Sequence, residues 1–291
     1  MAMRPSGEIQ ILGPDRQRDW RWPAVINFTL GGAGAGFYIL AALGGDAPRG
    51  WLAPLLVVAG LAAVALEAGR PLRAHHLLRN LGRSWMSREV FAALMFVVAG
   101  LLDSYRPSLA LSVVAVTSAA ALLLCQGFIV YRAGALPAWN VPVMPVLFIS
   151  SGLAAGAGVA LLAWPHATAG IGLACIGANL VAWLVYLWGT RERAFRQATR
   201  VLRRPGALIV VVGLGHVLPG ILLGLALART GSTGAALVAG AAMIVGSLSQ
   251  KAGVVLWAGY LQAIALRLPV GVKLGVKVDA LPVAVAVEKS L

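Results

Sequence analysis

Eight long, uniformly apolar runs separated by short polar links dominate this chain. They lie near residues 24–43, 51–68, 89–107, 109–131, 141–163, 167–189, 206–228 and 233–258. A helix needs about 20 apolar residues to cross a bilayer core, so each run is long enough to span or nearly so. Strands of an outer-membrane barrel would alternate apolar and polar residues, and these runs do not. The sequence therefore predicts an all-α integral membrane protein of eight transmembrane helices. With 12% charged residues and a mean hydropathy of +0.84 the chain cannot be a soluble domain. The links are too short for a soluble catalytic domain, and no removable signal peptide is read at the amino terminus.

The formal charge of +14 is a question of sidedness here, not a sign of nucleic acid. Of the 24 Lys and Arg residues, only Arg49, Arg106 and Arg229 fall outside the amino-terminal tail, the even-numbered loops, the end of the last helix and the carboxyl-terminal tail. The positive-inside rule then places both termini in the cytoplasm of a bacterial inner membrane. An arginine-rich docking face for an acidic partner would produce the same asymmetry. The densest basic clusters follow the second and sixth runs, which suggests a parallel repeat of two four-helix bundles. The expected organisation is a tail over 1–23, a first bundle over 24–131, a second with its linker over 132–258 and a tail over 259–291. Gly31, Gly32, Gly34 and Gly36 in the first run, and Gly152, Gly156 and Gly158 in the fifth, serve either tight helix packing or a ligand cleft.

Two isolated cysteines, Cys125 and Cys175, cannot supply the four thiolates of an iron–sulfur cluster. Of the four histidines only His216 lies well inside a span, so no paired haem ligands are evident, and no metal site is expected on this chain. Phosphate loops, zinc motifs and nucleophile elbows are absent, which leaves no catalytic residue to name.

Charge near the membrane is expensive and marks candidate sites. It concentrates between Leu66 and Val90, where Glu67 ends the second run and Arg88 and Glu89 open the third, so that both carboxylates face one surface. Glu67 reads equally as an ion pair with Arg70 or as a proton-transfer group. Glu89 reads as a helix-dipole partner or as an acid that accepts and supplies protons. His75 and His76 are expected at the surface or against a partner. His216 is either functional or bonded to a neighbouring carbonyl. Asn27, Gln126, Asn179 and Gln250 are candidate interhelical hydrogen-bonding groups.

Two segments resemble a known family. GRPLRAHHLLRNLGRSWMSREV, Gly69 to Val90, is similar to the loop between helices 2 and 3 of the membrane anchors of molybdenum oxidoreductases of the dimethyl sulfoxide reductase and polysulfide reductase (NrfD) type. LPAWNVPVMPVLFISSGLAAGAG, Leu136 to Gly158, is similar to their helix 4 to 5 connection. A third segment, DWRWPAVINFTLGGAGAG from Asp19 to Gly36, resembles a subgroup linked to phenylacetyl-CoA:acceptor oxidoreductases. The resemblance implies a subunit that anchors a molybdopterin catalytic subunit and a ferredoxin-like, four-cluster iron–sulfur subunit. It also implies electron exchange with menaquinone or ubiquinone, without haem or cluster on this chain. Glu89 matches a glutamate implicated in quinol binding, whereas Glu67 stands where the dimethyl sulfoxide reductase anchor has histidine. The expected quinone pocket is bordered by Glu67, Arg70, Trp85, Arg88, Glu89 and Asn27, with Arg73, Arg79 and Arg83 docking the iron–sulfur partner. The stretch from Leu268 to Glu288 is expected against that partner or the membrane surface. The alternative is a secondary transporter or proton-translocating subunit with His216 and Gln250 on its pathway.

Overall fold

A computed structural model describes residues 9–12, 15–44, 50–67, 79–165, 168–228, 232–261 and 264–267, excluding the side chains of Glu67 and of the segments 9–12 and 264–267. Arg70, Arg73, His75, His76 and Leu268–Glu288 lie outside the described residues, as does the side chain of Glu67.

Backbone polar groups find no partners in lipid, so a chain this apolar must satisfy them internally, and helices do so within each segment. The helices are α1 (Trp22–Gly44), α2 (Leu52–Glu67), α3 (Trp85–Tyr105), α4 (Leu109–Tyr131), α5 (Met144–Ala163), α6 (Ala169–Trp188), the short α7 (Arg193–Ala198) and α8 (Pro205–Leu208), α9 (Leu218–Leu227) and α10 (Thr233–Ala252). Wide π-helical turns at Ile209–Val217 join α8 to α9, and others extend α10 through Gly253–Trp257. Outside the bundle, strands β1 (Ile9–Leu12) and β2 (Ile264–Arg267) pair antiparallel, a small departure from the all-helical expectation.

Among the described residues, seven helices are long and apolar enough to cross a membrane, against the eight runs read in the sequence. The remaining apolar run carries α2, whose 16 described residues extend about 24 Å at 1.5 Å per residue up to Glu67, where the described segment ends. It returns beside α1: Cβ atoms added at Gly34 and Gly60 would meet Ala53 and Asn27 respectively. Serine hydroxyls cap three helix starts, Ser84 for α3, Ser108 for α4 and Ser232 for α10, each accepting from a backbone N–H in the first turn.

Among the described helices, α1 and α5 pack along one another as extensively as α1 packs within its own half. The two run parallel. A Cβ on Gly32 would lie 3.2 Å from Gly152 Cα, and one on Gly156 would strike the backbone of Gly36 and Phe37. Gly32, Gly36, Gly152 and Gly156 therefore serve close helix approach, as small residues four apart do in lipid. On the other side of α5, Gly158 meets Gly240 of α10 in the same way. Outward faces carry exposed aliphatics such as Val98, Val181 and Val238, while Trp22, Trp188 and Trp257 mark one membrane boundary.

Beneath that boundary, the loop following α4 is pinned into the core. Trp139 is buried and its indole N–H donates to Val254 O at 2.8 Å, while Tyr186 donates its hydroxyl to Ala138 O at 2.9 Å. The amino-terminal tail closes over this end, with Gln17 Nε2 donating to Val255 O at 3.1 Å and Trp20 packed on Trp139. Arg203 caps the carboxyl end of α6 through Leu187 O, where burial and the neighbouring Arg196 draw its guanidinium below the ordinary value.

Candidate functional site

The described core contains three groups of buried polar side chains. The first surrounds Glu89, one turn into α3. Asn27 Nδ2 of α1 donates to Glu89 Oε1 at 3.0 Å, and Gln126 Nε2 of α4 approaches the same oxygen at 3.4 Å. Gln126 Nε2 also lies 3.5 Å from Asn27 O, while its Oε1 has no partner. Three helices thus meet at one carboxyl group, and two amides supply its hydrogen bonds.

Of the expected pocket, Asn27 and Glu89 are brought together directly. Trp85 and Arg88 lie on the first turn of α3, which leads into Glu89. Trp85 stacks on Phe128, with centroids 4.5 Å apart and planes 11° from parallel, and the Arg88 guanidinium lies 4.4 Å from the Trp85 ring centre. Arg88 donates to Leu81 O and Gly82 O, both at 2.8 Å, so it ties down the turn before α3 rather than pairing with a carboxylate. The described part of α2 ends at the same face, and Arg79 and Arg83 are exposed on the turn before α3.

Lys251 is the principal addition. The sequence reading assigns it to the basic surface, but it is 1% exposed and donates to Phe28 O of α1 at 2.7 Å. Among the described residues the one ion pair within 4.0 Å is Arg18–Asp15, so this ammonium group has no carboxylate at that distance. A Cβ on Gly32 would lie 2.8 Å from Lys251 Nζ, so glycine there makes room for the amine. The signal was present in the sequence, since Lys251 sits inside GSLSQKAGVVLW with apolar or small residues on both sides.

The second group joins α5, α6 and the π-helical turns. His216 Nδ1 lies 2.7 Å from Val211 O and its Nε2 lies 3.1 Å from Asn179 Nδ2, which fits a neutral ring that donates through Nδ1 and accepts at Nε2. Ser150 donates to Asn179 Oδ1 at 3.1 Å. The turns widen just before Pro219, whose ring blocks the ordinary helical path and supplies no N–H. Gln250, expected to bond across helices, has no partner for either amide atom.

The third group lies toward the opposite end of α3, and the sequence reading missed it. Asp103 accepts from Tyr38 at 2.6 Å, from Ser112 at 2.9 Å and from the Ser108 N–H at 3.1 Å. A cleft of about 530 Å³ opens beside it, lined by Ser108 and Ser112 and otherwise largely apolar.

No protein-family model matches this chain, and no curated protein shows similarity to it.

Proposed function

We propose that this chain is the membrane anchor of a multi-subunit molybdenum/iron–sulfur oxidoreductase, binding quinone or quinol and exchanging electrons with an iron–sulfur partner subunit. The observation that carries the reading is the buried meeting of Asn27, Glu89 and Gln126. Burying a carboxyl group among three helices is costly unless it works, and this glutamate is the one that the resemblance selects. A quinone supplies paired electron and proton transfer. The residues fit such a head group. Glu89 offers a carboxyl oxygen to accept or return a proton, and Gln126 Oε1 is a buried acceptor without a partner. Asn27 holds the carboxyl in place, while the Trp85–Phe128 stack supplies an apolar wall. Arg79 and Arg83, exposed on the turn before α3, are the docking candidates for the iron–sulfur subunit, together with Arg73.

The test is Glu89→Gln in the assembled complex, with turnover followed both from quinol and from an artificial donor to the catalytic subunit. The expected outcome is loss of quinone-linked turnover by about 100-fold or more, the scale of removing a general acid–base group, with the artificial reaction unchanged. Full quinone-linked activity in an intact complex overturns the assignment.

A second reading, a secondary transporter or proton-translocating subunit, is favoured by one observation. The span that runs from α8 through α9 is interrupted by wide turns at His216, as helices near transport sites often are. Purification separates the two, because an anchor copurifies with molybdenum and iron–sulfur proteins whereas a transporter moves its substrate alone.

A further inference from the structure

Between Glu89 and His216, buried polar groups continue from helix to helix, and several of their atoms have no partner. Gln126 bonds Glu89, and its free Oε1 would lie 3.5 Å from a Cβ on Gly32, the same point that lies 2.8 Å from Lys251 Nζ. Both groups therefore border the space left by one absent side chain. Lys251 carries three donor hydrogens, and its described acceptor is Phe28 O. Gln250 precedes it, 1% exposed, with neither amide atom partnered. One turn back, Ser247 donates to Ser151 O at 3.1 Å, and the Ser151 hydroxyl is buried without a partner. Ser150, next in α5, leads through Asn179 to His216.

Buried polar groups without protein partners are ordinarily met by internal water, each molecule making about three hydrogen bonds. The unpartnered atoms of Gln126, Ser151 and Gln250 all lie along this seam. None is found in the neighbouring aromatic core at Phe37 and Phe96.

We propose that the seam holds a file of bound water and relays protons between Glu89, near the basic end of the bundle, and His216, midway through its span, with the Lys251 amine as its charged member. A proton leaves the Lys251 ammonium for an adjoining water as another leaves the far end of the file for the Glu89 carboxylate. The amine and the carboxylic acid are then neutral, the water is unchanged and no electron moves. The relay does not depend on a quinone, so it stands or falls separately from the anchor reading.

The test uses the full chain in lipid nanodiscs. Hydroxyl radicals generated by radiolysis label side chains beside bound water. Phe28, whose carbonyl meets Lys251, and Phe148, whose ring centre lies 6.0 Å from Lys251 Nζ, should label about tenfold faster than the equally buried Phe37 and Phe96. Equal labelling of the two pairs overturns the water file. Deuterium exchange at His216 Nδ1, read by solid-state NMR, tests the relay and should slow about tenfold in Gln250→Leu/Ser151→Ala. If that variant does not fold, Gln250→Met is read in the same way. Unchanged exchange in the variant that folds overturns the relay.

Discussion

Asp103 shows how a single side chain can tie helices together deep in the bundle. Its carboxyl group accepts from Tyr38 of α1 and Ser112 of α4 while belonging to α3. Hydrogen bonds to charged groups contribute about 1.5–3 kcal/mol, so Tyr38→Phe should destabilise by about 2 kcal/mol in thermal unfolding in detergent. Asp103→Ala should cost more, and the double variant less than the sum of the two, because both remove one interaction. Neither residue was evident in the sequence, where Asp103 reads as a polar residue closing a span before Pro107. Asn27 and Glu89 were legible because polarity inside an apolar run is conspicuous. Their pairing was expected only as membership of one pocket. Lys251 was misplaced because position along a run does not reveal which way a residue faces, and a cation near a helix end ordinarily reaches for the surface.

Among the elements, the glycines divide into those a neighbour needs and those it does not. Gly156 lies against the backbone of α1, so Gly156→Val should cost about 3 kcal/mol or prevent assembly, read as loss of the monodisperse peak in size-exclusion chromatography. Gly177 of α6 meets nothing within 4 Å, and Gly177→Ala should stabilise by up to about 1 kcal/mol in thermal unfolding. Both glycines look alike in the sequence, and only the neighbour distinguishes them. Span positions were mostly legible from hydropathy alone. The π-helical turns were not, although Pro219 and His216 were in plain view. A proline can be met by a kink or a wide turn, and here the imidazole bonded to Val211 O accompanies the wide turn.

For the whole molecule, the proposed orientation places the basic loops in the cytoplasm. Single cysteines at Pro107 and Gly134, both exposed and on links at opposite ends of α4, test it with a membrane-impermeant maleimide. Pro107→Cys in whole cells should react at least about tenfold faster than Gly134→Cys, and the reverse would invert the topology. The comparable depth of the α1–α5 and intra-half contacts also predicts cooperative melting of the bundle, with one calorimetric transition rather than two.

The contact between Lys251 and Phe28 joins residues 223 positions apart, near the two ends of the helical bundle. During synthesis α1 leaves the ribosome long before α10 exists, so its glycine-lined surface must wait in the membrane with its eventual neighbours still unmade. A nascent chain arrested before Lys251 should therefore be held by insertion chaperones or cleared by membrane proteases, however well its earlier spans have entered the bilayer.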